Sequence, residues 1–76
     1  MKMNRYEHEL LGLISQKVYF NLLYGVDTEI LIDEIEDIIY NLPLTCSAEL
    51  LNNLYRLIEI IEIANEIINE ILINEF

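Results

Sequence analysis

Apolar residues in this chain recur every three or four positions, and the polar residues between them divide the pattern into three segments. Asn4 followed by Glu7 has the form of a helix N-cap with its capping-box partner, and Tyr6, Leu10, Ile14 and Val18 then fall at helical spacing. The first helix is expected from about residue 5 to 24. Gly25 stands where a left-handed C-cap residue belongs, and Asp27 or Thr28 is placed to cap the next helix, so the connection is short and the two helices are antiparallel neighbours. In the second segment Leu31, Ile35, Ile38 and Leu42 step 4-3-4 with Asp33, Glu34, Glu36 and Asp37 between them. A strand would need strict alternation, which fails at Asp33-Glu34 and Ile38-Ile39. Pro43 ends this helix, because the residue before a proline is pushed out of the helical region.

Thr45 or Ser47 caps a third segment that continues without Gly or Pro to the last residue given. Leu50, Leu54, Leu57, Ile61, Ala64, Ile68 and Ile71 step 4-3-4-3-4-3, the spacing of a coiled-coil seam. Leu51, Ile58, Ile60, Ile67 and Leu72 widen it beyond a two-helix contact. The expected fold is all-α: residues 1–76 form a single small acidic helical domain, a three-helix up-down-up arrangement with a long C-terminal helix. At 1.5 Å per residue the helices measure about 30, 21 and 42 Å, so the third outruns the other two. Ile67, Ile68, Ile71 and Leu72 then project without intrachain cover, an apolar patch that soluble monomers avoid. The expectation is a homodimer formed through helix 3, with Ile61, Ala64, Ile67, Ile68, Ile71 and Leu72 at the contact. The alternative is a helix broken near Ala64-Asn65 and folded back.

Charge changes the picture. Fourteen acids against four basic residues give a formal charge of −10, while 54% of the chain is apolar and 24% charged. That apolar content excludes intrinsic disorder, and the negative charge removes the electrostatic footprint needed for direct binding of nucleic acid or anionic lipid. Charges interrupt every hydrophobic run before the roughly 18 to 20 residues of a membrane span, and no secretory signal is visible at the N-terminus. A single cysteine, Cys46, allows no internal disulfide, so a reducing, cytoplasmic setting is expected. The charge is also unevenly placed: residues 1–26 carry three basic residues and two acids, whereas residues 27–76 carry twelve acids and one base, Arg56. Ile, Asn and Tyr, with A/T-rich codons, number 14, 8 and 5, yet Lys2 and Lys17 are the sole lysines. Positive charge is scarce where the codon bias would supply it.

The candidate site follows from that asymmetry. Asp27, Glu29, Asp33, Glu34, Glu36 and Asp37 place six carboxylates within eleven residues without a basic residue among them. Like charges at i,i+3 and i,i+4 cost a few tenths of a kcal/mol each, so the block is mildly destabilising. Glu59, Glu62, Glu66 and Glu70 repeat the theme on helix 3 at 3-4-4 spacing, roughly 6 Å apart. Carboxylates on a rigid helix present a row of negative charge such as a nucleic-acid-binding protein recognises in phosphates; the alternative reading is a solvated face that keeps an oily small protein soluble. Tyr24 and Tyr40 flank the same short helix and are the aromatic candidates, against a reading of the tyrosines as core edge.

Other chemistry is weakly represented. Asp33, Glu36 and Asp37, or Glu62 and Glu66, lack the Glu-x-x-His partners of helical di-metal sites, and His8 does not supply one. His8 reads as a surface residue, Cys46 as a small half-buried one, and Gly12 as a point of close helix packing or a kink. No nucleophile, base and stabiliser come together, so neither catalytic residues nor a metal or cofactor is expected. In size, acidity and A/T-leaning residue choice the chain is similar in type to the small inhibitors that bacteriophages and mobile elements aim at host defence or replication enzymes, without a motif that carries the likeness residue by residue. The expected function is a non-enzymatic inhibitor or regulator that binds a basic protein in the host cytoplasm. The alternative is a structural oligomerisation or adaptor module that works through the apolar face of helix 3.

Overall fold

The computed structural model describes residues 2–25 and 27–74, with side chains as far as residue 71. These residues form three α-helices packed together, α1 (Arg5–Tyr24), α2 (Thr28–Tyr40) and α3 (Ala48–Asn74), and contain no strand. Each boundary has a local cause. The Asn4 side chain accepts from the Glu7 N–H at 2.8 Å and the Glu7 carboxylate accepts from the Asn4 N–H at 3.0 Å, closing the capping box of α1. Gly25 ends α1 at φ 70°, ψ 30°, where a side chain would strain the backbone, and its N–H donates to the Asn21 carbonyl. Asp27 caps α2 by accepting from the Glu29 N–H at 2.9 Å. At the other end the Asn41 side-chain amide donates to the Asp37 carbonyl at 2.8 Å, and α2 stops at Tyr40, before Leu42 and Pro43. Ser47, rather than Thr45, caps α3: its hydroxyl oxygen accepts from the Leu50 N–H at 3.1 Å.

Ile14 and Val18 of α1, Leu31 and Ile35 of α2, and Leu50, Leu54, Ile58 and Ile61 of α3 make the core. Fully burying an Ile or Leu side chain is worth about 1.5–3 kcal/mol, so these eight outweigh every exposed charge pair in the molecule. Tyr6 shares the helical stripe of Leu10 and Ile14 but is 72% exposed, because the neighbouring Glu7 turns into the interior instead. Gly12 is not a point of close packing: a Cβ built there meets nothing within 4 Å, and α1 runs through it as continuous helix.

α3 remains one helix through Ala64-Asn65, so the folded-back alternative is not what the chain adopts. Among the described residues the last fully buried one is Ile61, and the α1–α2 turn, at Gly25 and Asp27, lines a shallow depression with Asn65 and Ile68. Glu66 to Ile71 are all exposed. The helical assembly measures 49 × 18 × 17 Å, and its long dimension is set by α3.

Candidate functional site

All ten carboxylates singled out on α2 and α3 are exposed: Asp27, Glu29, Asp33, Glu34, Glu36, Asp37, Glu59, Glu62, Glu66 and Glu70. Their placement follows from the core. At about 100° per residue, Glu29, Asp33, Glu36 and Asp37 lie opposite Leu31 and Ile35 on α2, and Glu59, Glu66 and Glu70 lie away from Leu50, Leu54 and Ile61 on α3, with Glu62 on the flank between the two. The two rows overlap along the long axis of the molecule. α2 begins beside Asn65 and Ile68, where Asp27 and Thr28 share a depression with them, and it ends where Glu36, Ile39 and Tyr40 share another with Tyr55. Glu59 and Glu62 therefore lie along the stretch of α3 that α2 spans.

Little on the surface neutralises this face. Among the described residues one of the ten carboxylates is in an ion pair, Glu34 with Lys17 of α1; the other pair in the molecule, Arg5 with Glu9 at 3.4 Å, is an exposed i,i+4 contact on α1. None of the three helices has a basic residue in its last turn. Acids in the first turns of α2 and α3, Glu29 and Glu49, are favoured by the helix dipole, but the mid-helix acids have no such compensation. Tyr24 is 76% and Tyr40 88% exposed, one on either side of α2, so both are available to a partner together with the carboxylates between them. The Tyr24 ring also stacks on Phe20, with centroids 6.2 Å apart.

The residues assigned to the dimer contact separate into two groups. Ile67, Ile68 and Ile71 are 51%, 45% and 53% exposed, and Ala64 is half-buried. Ile61 is instead 0% exposed: its heptad position is turned toward α1 and α2, and the chain's own core takes it up. Leu72 lies outside the described side chains.

One polar constellation has no counterpart in the sequence reading. Glu7 is 6% exposed, and its Oε2 accepts from the Ser47 N–H at 2.8 Å and from the Ser47 hydroxyl at 3.1 Å, while Oε1 accepts from Asn4. The Ser47 amide, then the Asn4 amide, holds the Glu7 carboxyl below its ordinary pKa against the opposing effect of burial. The charge sits at the N-terminal turns of α1 and α3 together, where both helix dipoles favour an anion. Both of its oxygens are engaged inside the fold, by three hydrogen bonds in all, so the cluster fastens two helices together. The capping box pointed to Glu7, but its second oxygen meets a donor forty positions away, which no local pattern announces.

His8 is exposed and Cys46 is half-buried in the turn before α3, where its N–H donates to the Pro43 carbonyl at 3.0 Å. Among the described residues no three of His, Cys, Asp and Glu converge closely enough to hold a metal ion, and no helix is long and apolar enough to cross a membrane. No family model, curated protein or solved structure matches this chain.

Proposed function

We propose that this protein is a non-enzymatic inhibitor or regulator that occupies the basic surface of a nucleic-acid-handling protein, in the manner of the small proteins that phages and mobile elements direct at host defence. The observation that carries the reading is the acidic face of α2 and α3, where nine of ten exposed carboxylates have no cation partner among the described residues. Uncompensated like charge on a helix costs stability, and a basic partner returns that cost on binding. Tyr24 and Tyr40 add rigid aromatic area at the two ends of α2. The up-down-up order of the helices belongs to this reading and is supported by the short capped turn at Gly25 and by the joined N-termini of α1 and α3. So do a cytoplasmic site of action and a homodimer formed through the end of α3. The adaptor reading is favoured by a different observation, the exposure of Ile67, Ile68 and Ile71, and predicts binding that survives salt.

The test is capture from a bacterial lysate by the tagged protein and by a triple variant, Asp33→Asn, Glu36→Gln and Asp37→Asn, which leaves the Lys17 and Glu34 pair intact. The expected result is a basic nucleic-acid-handling protein that elutes as salt rises and is retained several-fold less by the variant, while circular dichroism shows unchanged helicity. Equal retention by the variant would reduce the acidic block to a solubilising surface.

A further inference from the structure

The exposed isoleucines of α3 are not scattered. Ile60, Ile63 and Ile67 are 45%, 55% and 51% exposed, and with Arg56 before them and Glu70 after them they step 4-3-4-3 along the helix. At about 100° per residue these five positions fall within an arc of roughly 80°, a second seam separate from the one that faces α1 and α2. Arg56 is exposed and enters no ion pair among the described residues, and it is the sole basic residue between positions 27 and 76. It stands at one end of the isoleucines. Glu70 stands at the other end, about 21 Å away.

We infer that a second copy of this chain covers this seam in antiparallel orientation, with the two-fold axis near Ile63, so that Arg56 of each copy meets Glu70 of the other. The charges select the orientation. A parallel, in-register pair sets Arg56 against Arg56 and Glu70 against Glu70, whereas reversing one helix replaces these two like-charge contacts with two symmetry-related Arg56–Glu70 pairs. The antiparallel pair also lays the overhanging last turns of one copy along the first half of α3 in the other, which gives Ile67 and Ile71 the cover that their own chain lacks. The seam runs beside the carboxylates of Glu59, Glu62 and Glu66, so the dimer places an acidic face from each copy on its outside.

This inference rests on the homodimer part of the reading above, and its test separates the two. The association of the full chain is measured by sedimentation equilibrium for the wild type, Arg56→Glu, Glu70→Arg and the double exchange. Both positions are exposed, so folding is checked by circular dichroism and is expected to be unchanged. The wild type is expected to be dimeric at micromolar concentration, each single exchange to weaken the dimer about tenfold or more, and the double exchange to restore most of the loss. A monomeric wild type overturns the homodimer reading and the inference together. A dimeric wild type whose double exchange is no tighter than the single ones, or that tightens with Arg56→Glu alone, overturns the antiparallel seam and leaves the homodimer standing.

Discussion

The two ends of α3 contain the same kinds of residue and use them in opposite ways. At its start Leu50 and Leu54 are 1% and 0% exposed, the cap is satisfied by Ser47, and a buried carboxylate ties the helix to α1. Towards its end Ile67, Ile68 and Ile71 are about as apolar but roughly half exposed, and the acids around them have no ion-pair partner among the described residues. Hydrophobicity alone therefore does not say where the core is. What decides it is whether a neighbouring helix reaches that far, and the cover ends where α1 turns into α2, beside Asn65 and Ile68. Solvent-facing isoleucine at this density is an apolar patch of the kind that marks interaction surfaces.

The sharpest way to break this comparison is to truncate one residue from each end. Leu54→Ala leaves a cavity in the core and is expected to cost about 2–5 kcal/mol, a fall of roughly 10 °C or more in the melting temperature of so small a domain. Ile67→Ala, measured at a protein concentration low enough to suppress association, is expected to cost under about 0.5 kcal/mol of monomer stability. Comparable losses at the two sites would mean that the end of α3 is packed after all. Thermal melts followed by circular dichroism read both.

The next effect sharpens the polar side. The pKa of Glu7 is lowered in the folded state, so its contribution is fully present above the ordinary carboxylate range, near 4.5, and is lost as pH falls through the lower folded value. The Glu7→Gln variant keeps the shape but loses the charge and turns one acceptor into a donor facing an N–H group. It is expected to melt well below the wild type at pH 7, and the gap is expected to narrow as pH drops below about 4. Protonation of the exposed acids relieves repulsion in both proteins alike, so the difference between the two melting curves isolates Glu7. A gap that does not change with pH would mean that the Glu7 pKa is not lowered by folding.

The smallest effect is a gain. Gly12 is exposed in the middle of α1 with open space around its Cα, so Gly12→Ala is expected to raise stability by about 0.5–1 kcal/mol, a few degrees in melting temperature. A loss instead would indicate that the backbone at Gly12 is approached closely by something outside the chain.

The helices were legible because their signals are local. Asn4 with Glu7, Gly25, Asp27 and the Ser47 turn each announce a boundary within four residues, and the periodicity carries the rest. The acidic face was equally legible, since on an amphipathic helix the residues opposite Leu31, Ile35 and Leu54 must point outward. What the periodicity did not separate is which half of a long apolar helix is used within the chain. Ile61 and Ile68 occupy equivalent positions in the heptad pattern, yet one is 0% and the other 45% exposed, because the distinction depends on how far α1 and α2 extend beside them. The Glu7–Ser47 tie was hidden for a related reason. A carboxylate in a capping box looks complete by itself, and only the tertiary arrangement brings a second pair of donors to its free oxygen.

That tie also orders events during folding. Glu7 finds its amide donor in a residue forty positions later, so while the chain emerges from the ribosome α1 is capped long before it is anchored. The α1–α2 hairpin closes through a short turn and can form early, whereas docking of α3 must close the long loop to Ser47 before the buried charge is satisfied. Until then α1 carries, on the face it will bury, a carboxylate that lacks its Ser47 donors, so burying that face without α3 in place would leave the charge short of the partners it has in the finished fold.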